Sequence, residues 1–211
     1  MNPLPSPPLL VITDRHQARR PLDELAEAAF AGGCRWLSVR EKDLDPAARL
    51  RLLRRLVVIG LRAGAVVSVH DDLAAAAATA AALHLPAGAE PDRVRASVGP
   101  DRLIGRSAHA QDPLAGRAVS GLDYVTLSPV LLSASKPGYG PALGYGGLAE
   151  AAAAASVPVI ALGGIETPAD ARASLGAGAA GVAIMGAVMR AADPQATVSA
   201  LLSAFRVTAT A

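Results

Sequence analysis

The 211-residue chain contains a single cysteine, Cys34, so no intramolecular disulfide can form and no second thiol is present to complete a zinc or redox motif. Aromatic residues make up only 3% of the chain and charged residues 18%, against 52% hydrophobic residues. The interior must therefore be filled by Ala, Val, Leu and Ile, an aliphatic α/β composition. Twenty basic and 18 acidic residues leave a net charge of +2, which is too balanced to predict a nucleic-acid or membrane partner. No apolar run reaches the ~18 residues a bilayer span needs, and "MNPLPSPPLL" lacks the basic start and apolar stretch of a secretory signal. A cytoplasmic protein is expected, with residues 1–8 a flexible lead and 9–211 one domain.

Against these scarcities stands a regular alternation. Short β-rich runs occur at 9–13, 36–40, 66–70, 82–86, 103–108, 124–130, 158–164 and 181–186. Most are separated by Ala/Leu/Arg-rich segments of helical composition, such as "LDELAEAAFAGG" and "PAARLRLLRRLVVIGLRAG", which close on Gly as helices often do. The alanine-rich "DDLAAAAATAA" reads as a short packed helix, and "TPAD" as an N-terminus with Thr167 as cap and Pro168 in the first turn. Strand then helix, repeated, implies parallel pairing, and eight units in this length predict a single (β/α)8 TIM barrel, with an open doubly wound sheet as the alternative.

A TIM barrel carries its chemistry at the C-terminal ends of its strands, and those ends are polar here. The runs end on Thr13–Asp14–Arg15, Arg40–Glu41–Lys42, His70–Asp71–Asp72, Ser107 with His109, and Ser133, Ser135 and Lys136. The chain has 18 Arg but only two Lys, and both Lys42 and Lys136 follow predicted strands on the same face. Either alone is explained as a solvated loop residue; with Arg40 they form a candidate anion clamp, Glu41 being structural. Gly163–Gly164 and Gly186 allow backbone N–H groups to approach a phosphate, although paired glycines also serve tight turns. "HDD" (70–72) offers magnesium one or two carboxylates, or simply a helix cap. His16, His84 and His109 lack metal-ligand spacing and read as ordinary polar residues. The serines show no triad partners.

These motifs, "VITDR", "VREK", "VHDD", "LHL", "IGRSAH", "DYVTLSPV", "SASKPG", "IALGGI" and "GAAGVAIMGAV", in this order over nearly the whole chain, resemble the family of thiamine-phosphate synthases and TenI-type thiazole tautomerases. The resemblance implies a transferase of thiamine biosynthesis that joins a pyrimidine diphosphate to a thiazole phosphate with release of diphosphate. Carried over by position, Arg40, Lys42, Ser107, Ser133, Ser135 and Lys136 would surround the diphosphate. Asp71 would help hold Mg²⁺, and Gly163, Gly164, Met185 and Gly186 would hold the thiazole phosphate. The chain departs from the synthase pattern at Ser38, where a substrate-contacting Gln is usual, and at His70, where Asn is usual. Pro86 and Ala87 replace Gly and Gln, and Ala89 occupies the second metal-ligand position, leaving Glu90 as the substitute. His70 is thereby an acid–base candidate for the tautomerase alternative, to which Pro129, where a tautomerase typically has His, is less suited. A noncatalytic thiazole-phosphate-binding protein is the third reading. The partners expected are small phosphorylated molecules, with homo-oligomerisation left open; a Schiff-base aldolase follows only from the rarity of Lys.

Overall fold

The computed structural model describes residues 1–133 and 140–206. Eight strands, β1 (Leu9–Ile12), β2 (Trp36–Val39), β3 (Val66–His70), β4 (Ala82–Leu85), β5 (Ile104–Ala108), β6 (Tyr124–Leu127), β7 (Val159–Leu162) and β8 (Gly181–Ile184), pair in parallel in chain order. The sheet closes where Leu10 of β1 pairs with Ala183 of β8. All eight expected strands are present, and the closed barrel rather than the open sheet is the outcome. The expected sixth strand stops at Leu127, because Pro129 has no N–H for the ladder.

Eight helices accompany the strands among the described residues: α1 (Leu22–Ala31), α2 (Pro46–Arg62), α3 (Leu73–Ala77), α4 (Pro91–Val98), α5 (Gly144–Ala154), α6 (Pro168–Gly176), α7 (Gly186–Met189) and α8 (Pro194–Leu202). Between β5 and β6 stands only a 3₁₀ turn, Gly116–Val119. Asp45, Asp72, Thr167 and Asp193 each accept a backbone N–H from the first turn of α2, α3, α6 and α8. At Thr167 the expected signal is a full capping box with Asp170.

Strand residues alternate between two apolar environments, as period-2 geometry requires. One set, including Leu9, Val11, Leu37, Val39 and Val125, packs outward against the helices. The other, Leu10, Ile12, Trp36, Ala82, Tyr124, Ile160 and Ala183, fills the barrel. Trp36 meets Tyr124 edge to face, with centroids 4.7 Å apart. The N-terminal lead makes polar and apolar contacts beneath this plug. Asn2 donates its backbone N–H to Asp123 (2.6 Å) and its side-chain amide to Pro100 and Arg102 carbonyls, while Leu4 packs against the inner apolar cluster.

Candidate active site at the barrel mouth

At the opposite, C-terminal end of the strands lies a cavity of about 230 Å³. Beyond β2, alternation sends Arg40 and Lys42 into its wall and Glu41 away from it. Glu41 is buried and accepts the backbone N–H of Arg15 (3.2 Å) and its guanidinium (3.2 Å), so it ties the loop after β1 to β2, as a structural residue should. Arg15 continues to Asp43 and, with His16, holds that carboxyl well below the usual carboxylate range. Thr13 Oγ1 accepts the Arg40 N–H (3.0 Å), fixing the backbone from which Arg40 projects.

The two aspartates after β3 divide the roles foreseen for them. Asp72 is the cap of α3 and also accepts from Arg49 Nε (2.7 Å). Asp71 instead lines the cavity, on a backbone with φ of +50°. His70 lines it too, its ring tilted 37° against that of His84 with centroids 4.4 Å apart. His84, which sequence reasoning passed over, is buried between Tyr124 OH (3.0 Å from Nδ1) and Ser107 Oγ (3.1 Å from Nε2). Burial, and then the charges of Lys42 and Arg40, lower its pKa from 6.5 to about 3, so the imidazole is neutral. Ser107 and Ser133 reach the wall; Ser135 and Lys136 lie outside the described residues.

Across the cavity stand Gly163, Gly164, Met185 and Gly186. The two paired glycines have φ of +101° and +68°. A Cβ on Gly164 would fall 2.5 Å from Leu131 Cβ and Leu132 O, and the Gly163 carbonyl accepts from Leu131 N (3.0 Å). The pair therefore serves close packing against the segment after β6 as well as the wall. At Gly186 a Cβ would overlap the guanidinium of Arg190, which donates to Gln17 Oε1 (2.5 Å) and to Glu166 Oε1 (2.8 Å).

Two candidates do not reach the wall. Ser38 is fully buried inside the barrel below it, its hydroxyl without a partner among the described residues, because a serine is too short to extend where a Gln would. Glu90 is exposed at the N-terminus of α4, outside the lining. Conversely, Glu166, which is not among the candidates, lines the cavity, as does His109, a polar strand end whose sequence context reads as that of an ordinary polar residue. The signal for His109 is its place two residues beyond Ser107 at the end of β5, whereas Glu166 lies in the turn after β7, where residues 162–166 line the cavity consecutively.

No group of three or more His, Cys, Asp or Glu side chains suited to a metal occurs among the described residues. Asp71 is a carboxylate facing the same cavity as Arg40 and Lys42. That donor set fits magnesium, which commonly takes one or two carboxylates and completes its shell with phosphate oxygens and water.

A family model described as thiamine monophosphate synthase matches residues 9–188. A thiamine-phosphate synthase from Salinispora tropica is 37% identical over 205 residues, covering 93% of this chain and 96% of that protein. One from Roseiflexus castenholzii is 36% identical over 207 residues, covering 95% and 90%. Among solved structures, thiamine phosphate pyrophosphorylase from Pyrococcus furiosus superposes with a TM-score of 0.81 at 26% identity, covering 95% of this chain and 96% of that one.

Proposed function

Because the chain belongs to the thiamine monophosphate synthase family, we propose that it joins hydroxymethylpyrimidine diphosphate to a thiazole phosphate, releasing diphosphate. The observation that carries this reading is one cavity with two ends suited to anions: Arg40, Lys42 and Ser107 on one side, with Asp71 beside them for a cation, and the Gly163–Gly164 turn with Gly186 on the other. In the reaction the C–O bond to diphosphate breaks, its electron pair leaving with the diphosphate, and the thiazole nitrogen lone pair forms the new C–N bond. Arg40 and Lys42 receive the departing charge, and Ser107 adds a hydroxyl donor to it. The opposite wall holds the second substrate within reach, so the electrophilic carbon meets the nitrogen before water does. Magnesium, held by Asp71, would supply further positive charge to the leaving group.

Mixing both substrates with magnesium should release diphosphate and yield thiamine phosphate, measured by chromatography. No release at high enzyme concentration, with thiazole phosphate demonstrably bound, would overturn the synthase reading and leave a noncatalytic thiazole-phosphate-binding protein. A second reading rests on His70, a titratable side chain in the cavity wall where the synthase pattern has Asn. Under it the protein moves a ring proton of a thiazole carboxylate phosphate. Solvent deuterium exchange that is lost in His70→Asn would support this; exchange unchanged in that variant removes the role.

A further inference from the structure

Ser107 is a weak donor by itself, since a hydroxyl has one proton and several acceptors compete for it. What lies behind it decides where that proton points. Gly105, two residues earlier on the same strand, has no side chain, and the Tyr124 ring occupies the space a Cβ would need. Trp36 packs edge-on against that ring, so the Tyr124 hydroxyl is fixed beside His84 Nδ1 at 3.0 Å. His84 Nε2 then meets Ser107 Oγ at 3.1 Å, with Thr126 Oγ1 more distant at 3.4 Å. The result is a chain, Tyr124–His84–Ser107, whose first two members are buried and which meets the cavity at Ser107.

A neutral imidazole carries one N–H, so the chain has two self-consistent polarities. In one, Ser107 O–H donates inward to Nε2 and Nδ1–H donates to the Tyr124 oxygen. In the other, both bonds reverse: Tyr124 O–H donates to Nδ1, Nε2–H donates to Ser107 Oγ, and the Ser107 O–H turns toward the cavity. We propose that His84 is a positioning residue whose Nε2–H, backed by Tyr124, turns the Ser107 hydroxyl toward the bound diphosphate. An anion between Arg40, Lys42 and Ser107 selects this polarity because it is the one that offers it a proton. The number of protons is unchanged: the two hydroxyls rotate, while the imidazole loses its proton at Nδ1 to water and gains one from water at Nε2. The inference rests on the reading that this cavity binds diphosphate.

Titration calorimetry of the full-length protein with inorganic diphosphate and magnesium tests it, with melting curves to confirm folding. Ser107→Ala should weaken binding about 10- to 100-fold, the range for one hydrogen bond to a charged group. His84→Leu should weaken it about 3- to 10-fold, and the double variant should bind no worse than Ser107→Ala alone, since His84 acts through Ser107. His84→Gln, whose amide can donate from near the Nε2 position, should stay within about twofold of wild type. Tyr124→Phe keeps the ring and serves if His84→Leu fails to fold; it should weaken binding in the wild-type background and do nothing in the Ser107→Ala background. Additive losses in the double variants, or full affinity in both His84→Leu and Tyr124→Phe, overturn the inference alone. A wild-type protein that binds no diphosphate overturns the underlying reading with it.

Discussion

Asp71 offers a test that separates geometry from chemistry at one position. Among the described residues it is the non-glycine residue with a positive φ, +50°, and it faces the cavity. Left-handed backbone costs an ordinary L-residue roughly 1–2 kcal/mol; Asp and Asn bear it best, and Gly without strain. Asp71→Ala therefore carries the backbone cost with no compensating side chain, whereas Asp71→Gly relieves it. A kcal/mol moves the melting point of a chain this size by about 2–4 °C, so the glycine variant should melt about 2–8 °C above the alanine variant. Asp71→Asn keeps the shape and should melt close to wild type. All three lose the carboxylate, so all three should lose magnesium-dependent turnover regardless of their stability. Differential scanning calorimetry beside a diphosphate-release assay reads both axes. Equal melting points for the alanine and glycine variants would refute the strain argument; full magnesium-dependent turnover in Asp71→Asn would refute the ligand assignment.

The remaining expectations concern the two walls and the buried histidine. Arg40→Met should raise the KM for the pyrimidine diphosphate about tenfold or more, with thiazole phosphate affinity little changed, in steady-state kinetics and calorimetry. Gly164→Ala should lose about 2–4 kcal/mol by denaturant titration, because φ of +68° and the 2.5 Å approach to Leu131 and Leu132 both oppose a Cβ; a change below about 0.5 kcal/mol would show that the segment yields freely. His84 holds its neutral form down to about pH 3 when folded, but takes a proton below about 6.5 when unfolded. The unfolded chain binds more protons in that window, so the stability due to His84 is complete above pH 6.5 and is lost as pH falls toward 3. His84→Gln should flatten this part of the stability profile, and an unchanged slope would assign the acid sensitivity elsewhere.

The barrel was legible because each strand is a short apolar run bounded by polar residues, and because helical stretches recur at a steady interval. Wall residues were legible for the same reason, since the fold brings every strand end to one mouth. Asp71 and Asp72 could not be told apart from "HDD", because only the backbone turn at Asp71 decides which carboxylate caps α3 and which faces the cavity. Glu90 was a one-residue guess in a loop, and the start of α4 at Pro91 fixes it outside. The His84–Tyr124–Ser107 chain joins residues from three strands, 40 and 23 positions apart from His84. Nothing local marks it except Gly105, whose reason is a ring 19 residues later. Arg190 over Gly186 is hidden likewise, since its partners lie 173 and 24 positions away, at Gln17 and Glu166.

The pairing of β1 with β8 sets a condition on synthesis. The first strand leaves the ribosome with one hydrogen-bonding edge that finds its partner only when Gly181–Ile184 has been made. Until then the nascent sheet has two open edges, each a template for pairing with other chains. Ring closure is thus a late, long-range event, and a chain interrupted before β8 should be an aggregation hazard rather than a smaller folded barrel.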